Sequence, residues 1–244
     1  SSLDVRAFGQ LRKLESLQLA SNNINVIDDG ALGGLSTLIN LNLAHNRFVA
    51  LHNQLFAQTP YLQDLQLNNN SLSVLAPGLF DGLEHLVVLN MSRNELSNDW
   101  LTPQTFSSLL RLVALDMSHN RLTKLESAVL NPLTSLQILD LGSNEIGVDG
   151  AKALAAAVTT SGSLAHLNIG DNDSGDKNAQ ALDAQRPHGG GRRPWHAPRC
   201  RHQQPLRHWG QRAVGAGSLA GRLRRAGLES PAAAPAGCPG PAAR

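Results

Sequence analysis

The sequence predicts a curved α/β solenoid with one parallel sheet on its concave face, and three observations carry that prediction. First, the run LESLQLASNNI, Leu14 to Ile24, sets a frame L-x-x-L-x-L-x-x-N-x-I. It returns at Leu38, Leu62, Leu86, Leu112, Leu136 and Leu164, at steps of 24, 24, 24, 26, 24 and 28 residues. Second, each copy alternates apolar and polar, as in Leu17-Gln18-Leu19, Leu41-Asn42-Leu43 and Leu65-Gln66-Leu67. Period two marks a half-buried strand. Third, every copy carries an Asn where its strand must turn: Asn22, Asn46, Asn70, Asn94, Asn120, Asn144 and Asn172. Units repeated at this period stack so that each packs only on its neighbours.

In chain order, residues 1–13 read as the back half of an earlier repeat. Phe8, Leu11 and Leu14 match Phe80, Leu83 and Leu86, and no polar cap precedes them, so the chain reads as a fragment of a longer array. The seven Asn are expected to be structural. Asn tolerates turns, and its amide can satisfy backbone groups that would otherwise be buried without partners. The return segments supply further core residues: Ile27, Leu32 and Leu35, then Leu51 and Phe56, then Leu75, Phe80 and Leu83. The fourth is two residues longer and holds Trp100, Leu101 and Phe106. From Ile146 to Val158 the style changes. Ala is the best helix former, and Ala151, Leu154 and Val158 share one helical face. A second helical repeat begins at Asn172 and fades after Leu182.

This frame and its Asn closely resemble those of the leucine-rich repeat family. Repeat three is similar to the family's typical 24-residue class, and the 28-residue step resembles its ribonuclease-inhibitor class, where a helix backs each strand. The first resemblance implies receptor ectodomains and matrix proteins. The second implies cytosolic sensors and inhibitors, so the two point to different compartments. The curvature is expected to change near residue 146.

Charge divides the chain at residue 184. Residues 1–184 carry 18 acidic and ten basic side chains, a net −8; residues 185–244 carry eleven Arg, no Lys and one acid, a net +10. This tail also holds eight of the twelve prolines and both cysteines, Cys200 and Cys238. Such composition predicts no packed core. One reading is a frame-shifted translation of further repeats: moving the codons of Pro198–Pro205 one base forward permits Leu-Asp-Val-Ala-Thr-Asn-Asn. Coding DNA without repeats in that frame would overturn it. The other is a genuine Arg-rich extension, the one segment suited to nucleic acid through counterion release.

Nothing in the sequence assembles a catalytic, cofactor or metal site. His45 and His119 share a repeat position but stand three strands apart, roughly 14 Å at the strand spacing of a sheet. His166 is isolated, and Cys200 and Cys238 lack zinc-site spacing. Gly189–Gly191 has no strand and helix to make a phosphate loop. Three N-glycosylation triplets, at Asn69, Asn90 and Asn172, arise in Asn-rich repeats by composition. No apolar run approaches a membrane span.

The expected function is therefore non-catalytic recognition of a protein or peptide on the concave face. The candidate contact surface is an apolar strip, Val88, Ala114 and Ile138, beside Asp64, Gln66, Asn90, Arg93, Asp116, His119 and Asp140. Glu at the three apolar positions is expected to spare folding and abolish binding. A second reading makes the array the targeting module of a larger enzyme, a kinase or ligase, whose catalytic domain lies outside this chain.

Overall fold

Each recurrence of the frame contributes one three-residue strand. The computed structural model describes residues 2–4, 7–160 and 162–172. Two short strands, β1 (Ser2–Leu3) and β3 (Val26–Ile27), pair in parallel as a small separate sheet that the sequence pattern did not foresee. The main sheet consists of β2 (Ser16–Gln18), β4 (Asn40–Asn42), β5 (Asp64–Gln66), β6 (Val88–Asn90), β7 (Ala114–Asp116), β8 (Ile138–Asp140) and β9 (His166–Asn168). They lie in that order, all parallel. Leu17, Leu41, Leu65, Leu89, Leu115, Leu139 and Leu167 fall opposite one another, so equal frame positions are stacked.

Behind the sheet, the remaining frame positions form one continuous core from Leu17 to Leu154. Phe56, Phe80 and Phe106 stack through it with ring centroids 6.5 and 6.1 Å apart. These rings fill space that short return segments leave, and offset stacking adds to their burial.

The Asn side chains tie consecutive repeats. Asn94 donates to Leu67 O at 3.1 Å and Met91 O at 3.0 Å, and accepts from Leu72 N at 2.9 Å. Asn46, Asn70, Asn120, Asn144 and Asn172 each likewise donate to a carbonyl of the preceding repeat and accept one of its amides. Asn22 differs: it is exposed and donates to Ala20 O within its own repeat.

Just before each of these Asn, the chain adopts a left-handed conformation. Ser21, His45, Asn69, Arg93, His119, Ser143 and Asp171 have φ between 54° and 61°. The turn has a purpose. From Ser21 to Ser143 it aims the N–H at the next repeat, as Arg93 N to Ser118 O at 2.9 Å and Ser143 N to Gly170 O at 2.8 Å, and so extends the ladder beyond the strand. Among these types Asn, Asp and His adopt such angles more readily than Ser and Arg. Ser143→Val should therefore lower stability by about 1–2 kcal/mol, read as a shift of the urea midpoint, while Ser143→Gly should not.

The long fourth repeat contains a 3-10 turn, Asn98–Trp100. Asn98 Oδ1 accepts from Thr123 N at 2.8 Å and Thr123 Oγ1 at 2.9 Å, and its Nδ2 donates to Lys124 O. Helix α1 (Ser127–Leu130) is a single turn, whereas α2 (Val148–Thr160) has thirteen residues. The helix expected after Asn144 is thus present, and Ile146 precedes it as a fully buried core residue. Gly150 admits α2 close to the preceding repeat, since a Cβ there would collide with Thr123 O. The second helical repeat past Asn172 and the tail of residues 185–244 lie outside the described residues.

Candidate functional site

The concave face consists of three columns of side chains, one before, one after and one beyond the strand's central Leu. Exposure changes along it. Flanking side chains are exposed in β2 and β9, half-buried in β4 and β8, and buried across β5 and β7. Parallel strands lie about 4.8 Å apart, so interior side chains are walled on both sides by their counterparts. Among the described residues, β2 and β9 are paired on one side only.

This crowding alters the expected contact strip. Val88 is 9% exposed and Ala114 5%, while Ile138 is half-buried. Asp64, Gln66 and Asp116 are also buried, Asn90 and Asp140 half-buried. Arg93 stands exposed beyond the strands, with Nη2 3.4 Å from Nε2 of the half-buried His119. The structure thus brings the ten candidate residues onto one face but leaves the apolar centre largely covered.

The middle column has a local task that the sequence reading missed. Asn42, Asn90, Asp116, Asp140 and Asn168 each accept, through Oδ1, the backbone N–H two residues on, at 2.9–3.0 Å. Ser92 and Ser118 add a hydroxyl bond to the same oxygen at 2.7 Å. These are Asx turns, which let a short side chain terminate the strand. The signal was present as Asn or Asp followed two residues later by Ala, Ser or Gly.

Asp116 and Asp140 are register partners on neighbouring strands. Burial first, and then the Asp140 charge, push Asp116 up to about 6, against bonds from Ser118 and Ser92 that lower it. Burial also raises Asp140, opposed by the Gly142 N–H, Asn168 and His119. A carboxyl raised in the folded state holds its proton more tightly there, so the contribution of Asp116 to stability is fully present below about pH 4 and is lost as pH rises through about 6. At pH 7 the ionised Asp116 costs on the order of 2 kcal/mol. Asn performs the same Asx turn at three sites of this column. Asp116→Asn should therefore be more stable than the wild type at pH 7 by that order, with the difference vanishing below pH 4. Urea unfolding of both proteins across this range measures it.

Among the described residues, no three His, Cys, Asp or Glu gather as a metal site, and no helix is long and apolar enough to cross a membrane. Of the glycosylation triplets, Asn172 is engaged by Leu141 O and Ile169 O, while Asn69 and Asn90 are half-buried on the concave side.

Stacked strands, an Asn ladder and a polar concave sheet define a repeat solenoid of the kind used for recognition. The chain belongs to the leucine-rich repeat family, whose profile matches residues 1–48, 36–96 and 100–146. No curated protein matches it at a significant level. Among solved structures it is similar to the Toll–Spatzle complex of Drosophila development and innate immunity, at 26% identity and TM-score 0.63, covering 71% of this chain and 24% of that one. It is similar to the TLR13–ssRNA13 complex at 26% identity and TM-score 0.54, covering 71% and 27%. The APL1 leucine-rich repeat domain, at 22% identity and TM-score 0.52 over 71% and 53%, shares the fold. This chain therefore spans about a quarter of the first two chains and about half of the third.

Proposed function

We propose that this array is a non-catalytic recognition module that binds a protein or peptide segment on its concave face. The observation carrying this reading is the seven-stranded parallel sheet, which turns one face to the core and presents the other as ordered polar columns. Extended surfaces of this kind suit extended partners. The Toll–Spatzle complex, a similar structure, pairs one chain with another protein. The TLR13 complex pairs one with single-stranded RNA. Here the net −8 of residues 1–184 opposes a phosphate backbone, so a protein partner is favoured.

A random peptide library, selected against the full chain, supplies probes. Arg93→Trp with His119→Trp places bulk at the rim of the face without filling the core. The selected peptides should bind this double variant about tenfold or more weaker, a loss of roughly 1.4 kcal/mol or more, while far-ultraviolet circular dichroism shows it still folded despite the cost of a bulky side chain at two left-handed positions. Undiminished binding would place recognition on another surface.

A further inference from the structure

We propose that the partner presents a basic segment to this face, setting a lysine or arginine side chain over Asp116 and Asp140 and an N–H donor over Gln66. The proposal rests on the concave face being the recognition surface.

The first observation is a charge imbalance at one place. The ion pairs found among the described residues are His52–Asp29, Arg121–Glu95, Lys124–Glu126 and Lys152–Asp149, all between largely exposed groups. Asp116 and Asp140 take part in none of them, and although His119 acts on Asp140 electrostatically, the two carboxyls remain adjacent in register with Asp116 91% buried. Two like charges side by side in a crowded setting are costly, and a cation placed between them relieves both repulsion and desolvation.

The second observation is independent of charge. Gln66 is 95% buried, and its Oε1 has no hydrogen-bond partner among the described residues. The orientation of its amide is determined by chemistry. Nε2 donates to Asp64 Oδ1 at 2.6 Å, and the reversed amide would set oxygen against oxygen. A buried acceptor without a donor is disfavoured. Gln66 aligns with Asn90, Asn90 with Asp116, and Asp116 with Asp140. The vacant acceptor and the acidic pair therefore belong to one row across the sheet. Along that row the needed groups are donors and cations, which a basic peptide supplies and a nucleic acid or an acidic peptide does not. A second copy of this array, acidic itself, offers the wrong sign.

The test uses the full chain and the same random peptide library. Peptides selected on the wild type should be enriched in Lys and Arg. Asp116→Asn with Asp140→Asn keeps the Asx turns and removes the charge, and should weaken these peptides about tenfold or more. Wild-type binding should also weaken as pH falls through about 6, the value of Asp116, and the double variant should not share that dependence. Peptides blocked by the Arg93→Trp and His119→Trp pair, but without basic enrichment or sensitivity to the Asn changes, overturn the basic partner and leave the concave face standing. Peptides indifferent to both pairs overturn both readings. If replacing the arginines of residues 185–244 by serine raises affinity for a lysine oligopeptide tenfold, the chain's own basic segment is the occupant, and a separate partner is excluded.

Discussion

Asn94→Ala should lower the stability of the array by about 2–3 kcal/mol, since the substitution leaves the buried Leu72 N–H without an acceptor and removes one donor from each of three carbonyls. Asn94 is 8% exposed. Its oxygen takes the Leu72 N–H, and its amide nitrogen serves the carbonyls of Leu67, Met91 and Ser92. Alanine replaces none of these bonds, and the gap is narrow. The Leu72 N–H left unpaired costs about 1–3 kcal/mol, while the three carbonyls keep Asn70 Nδ2, Asn120 Nδ2 and Asn69 N as donors and lose only their share of the bonding. Asn22→Ala is the internal control. That side chain is exposed and bonds only within its own repeat among the described residues, so its loss should cost under about 1 kcal/mol. Thermal and urea unfolding followed by circular dichroism compare the two. Equal effects would mean that ladder bonds contribute nothing beyond a local turn.

Replacing Val88, Ala114 and Ile138 together by Glu should unfold the middle of the sheet at neutral pH. From sequence alone the same change is expected to spare folding and abolish binding. The burial of Val88 and Ala114 reverses that expectation. Three carboxylates would enter a crowded row beside Asp64, Asp116 and Asp140. Two of those, Asp116 and Asp140, already hold their protons above the ordinary carboxyl range. Each buried charge without a cation costs several kcal/mol, so the total rivals the ~5–15 kcal/mol by which a domain is stable. Acidification should restore structure as the new carboxyls protonate. A triple replacement by Thr, Ser and Thr, which keeps strand-compatible sizes without charge, should remain folded. Gel filtration and far-ultraviolet circular dichroism at pH 7 and pH 5 read the outcome. A folded triple-Glu protein at pH 7 would show that the face is more open than its burial indicates.

The two predictions separate what is local from what is assembled. The frame, its strands, the core Leu positions, the Phe plugs and the helix after Asn144 were legible, because every one of them depends on periods of two, of 3.6 or of a whole repeat written along the chain. The register of the candidate strand residues across the sheet follows from the same periods. Their accessibility was not legible. Whether Val88 meets solvent depends on Asp64 and Ala114, which stand 24 and 26 residues away in sequence and one strand away in space.

By itself, then, the sequence determined the solenoid: each repeat packs only on its neighbours, so a periodic pattern is enough to specify strand, core and turn. Stacking decided the rest. Only with the strands in register does Asp116 adjoin Asp140, Arg93 approach His119, and Gln66 turn one amide arm to Asp64 and leave the other without a donor among the described residues. The left-handed residue of each repeat belongs to the same group. Its angle is imposed by a carbonyl in the next repeat, and its types, from Ser to His to Arg, carry no common local signal.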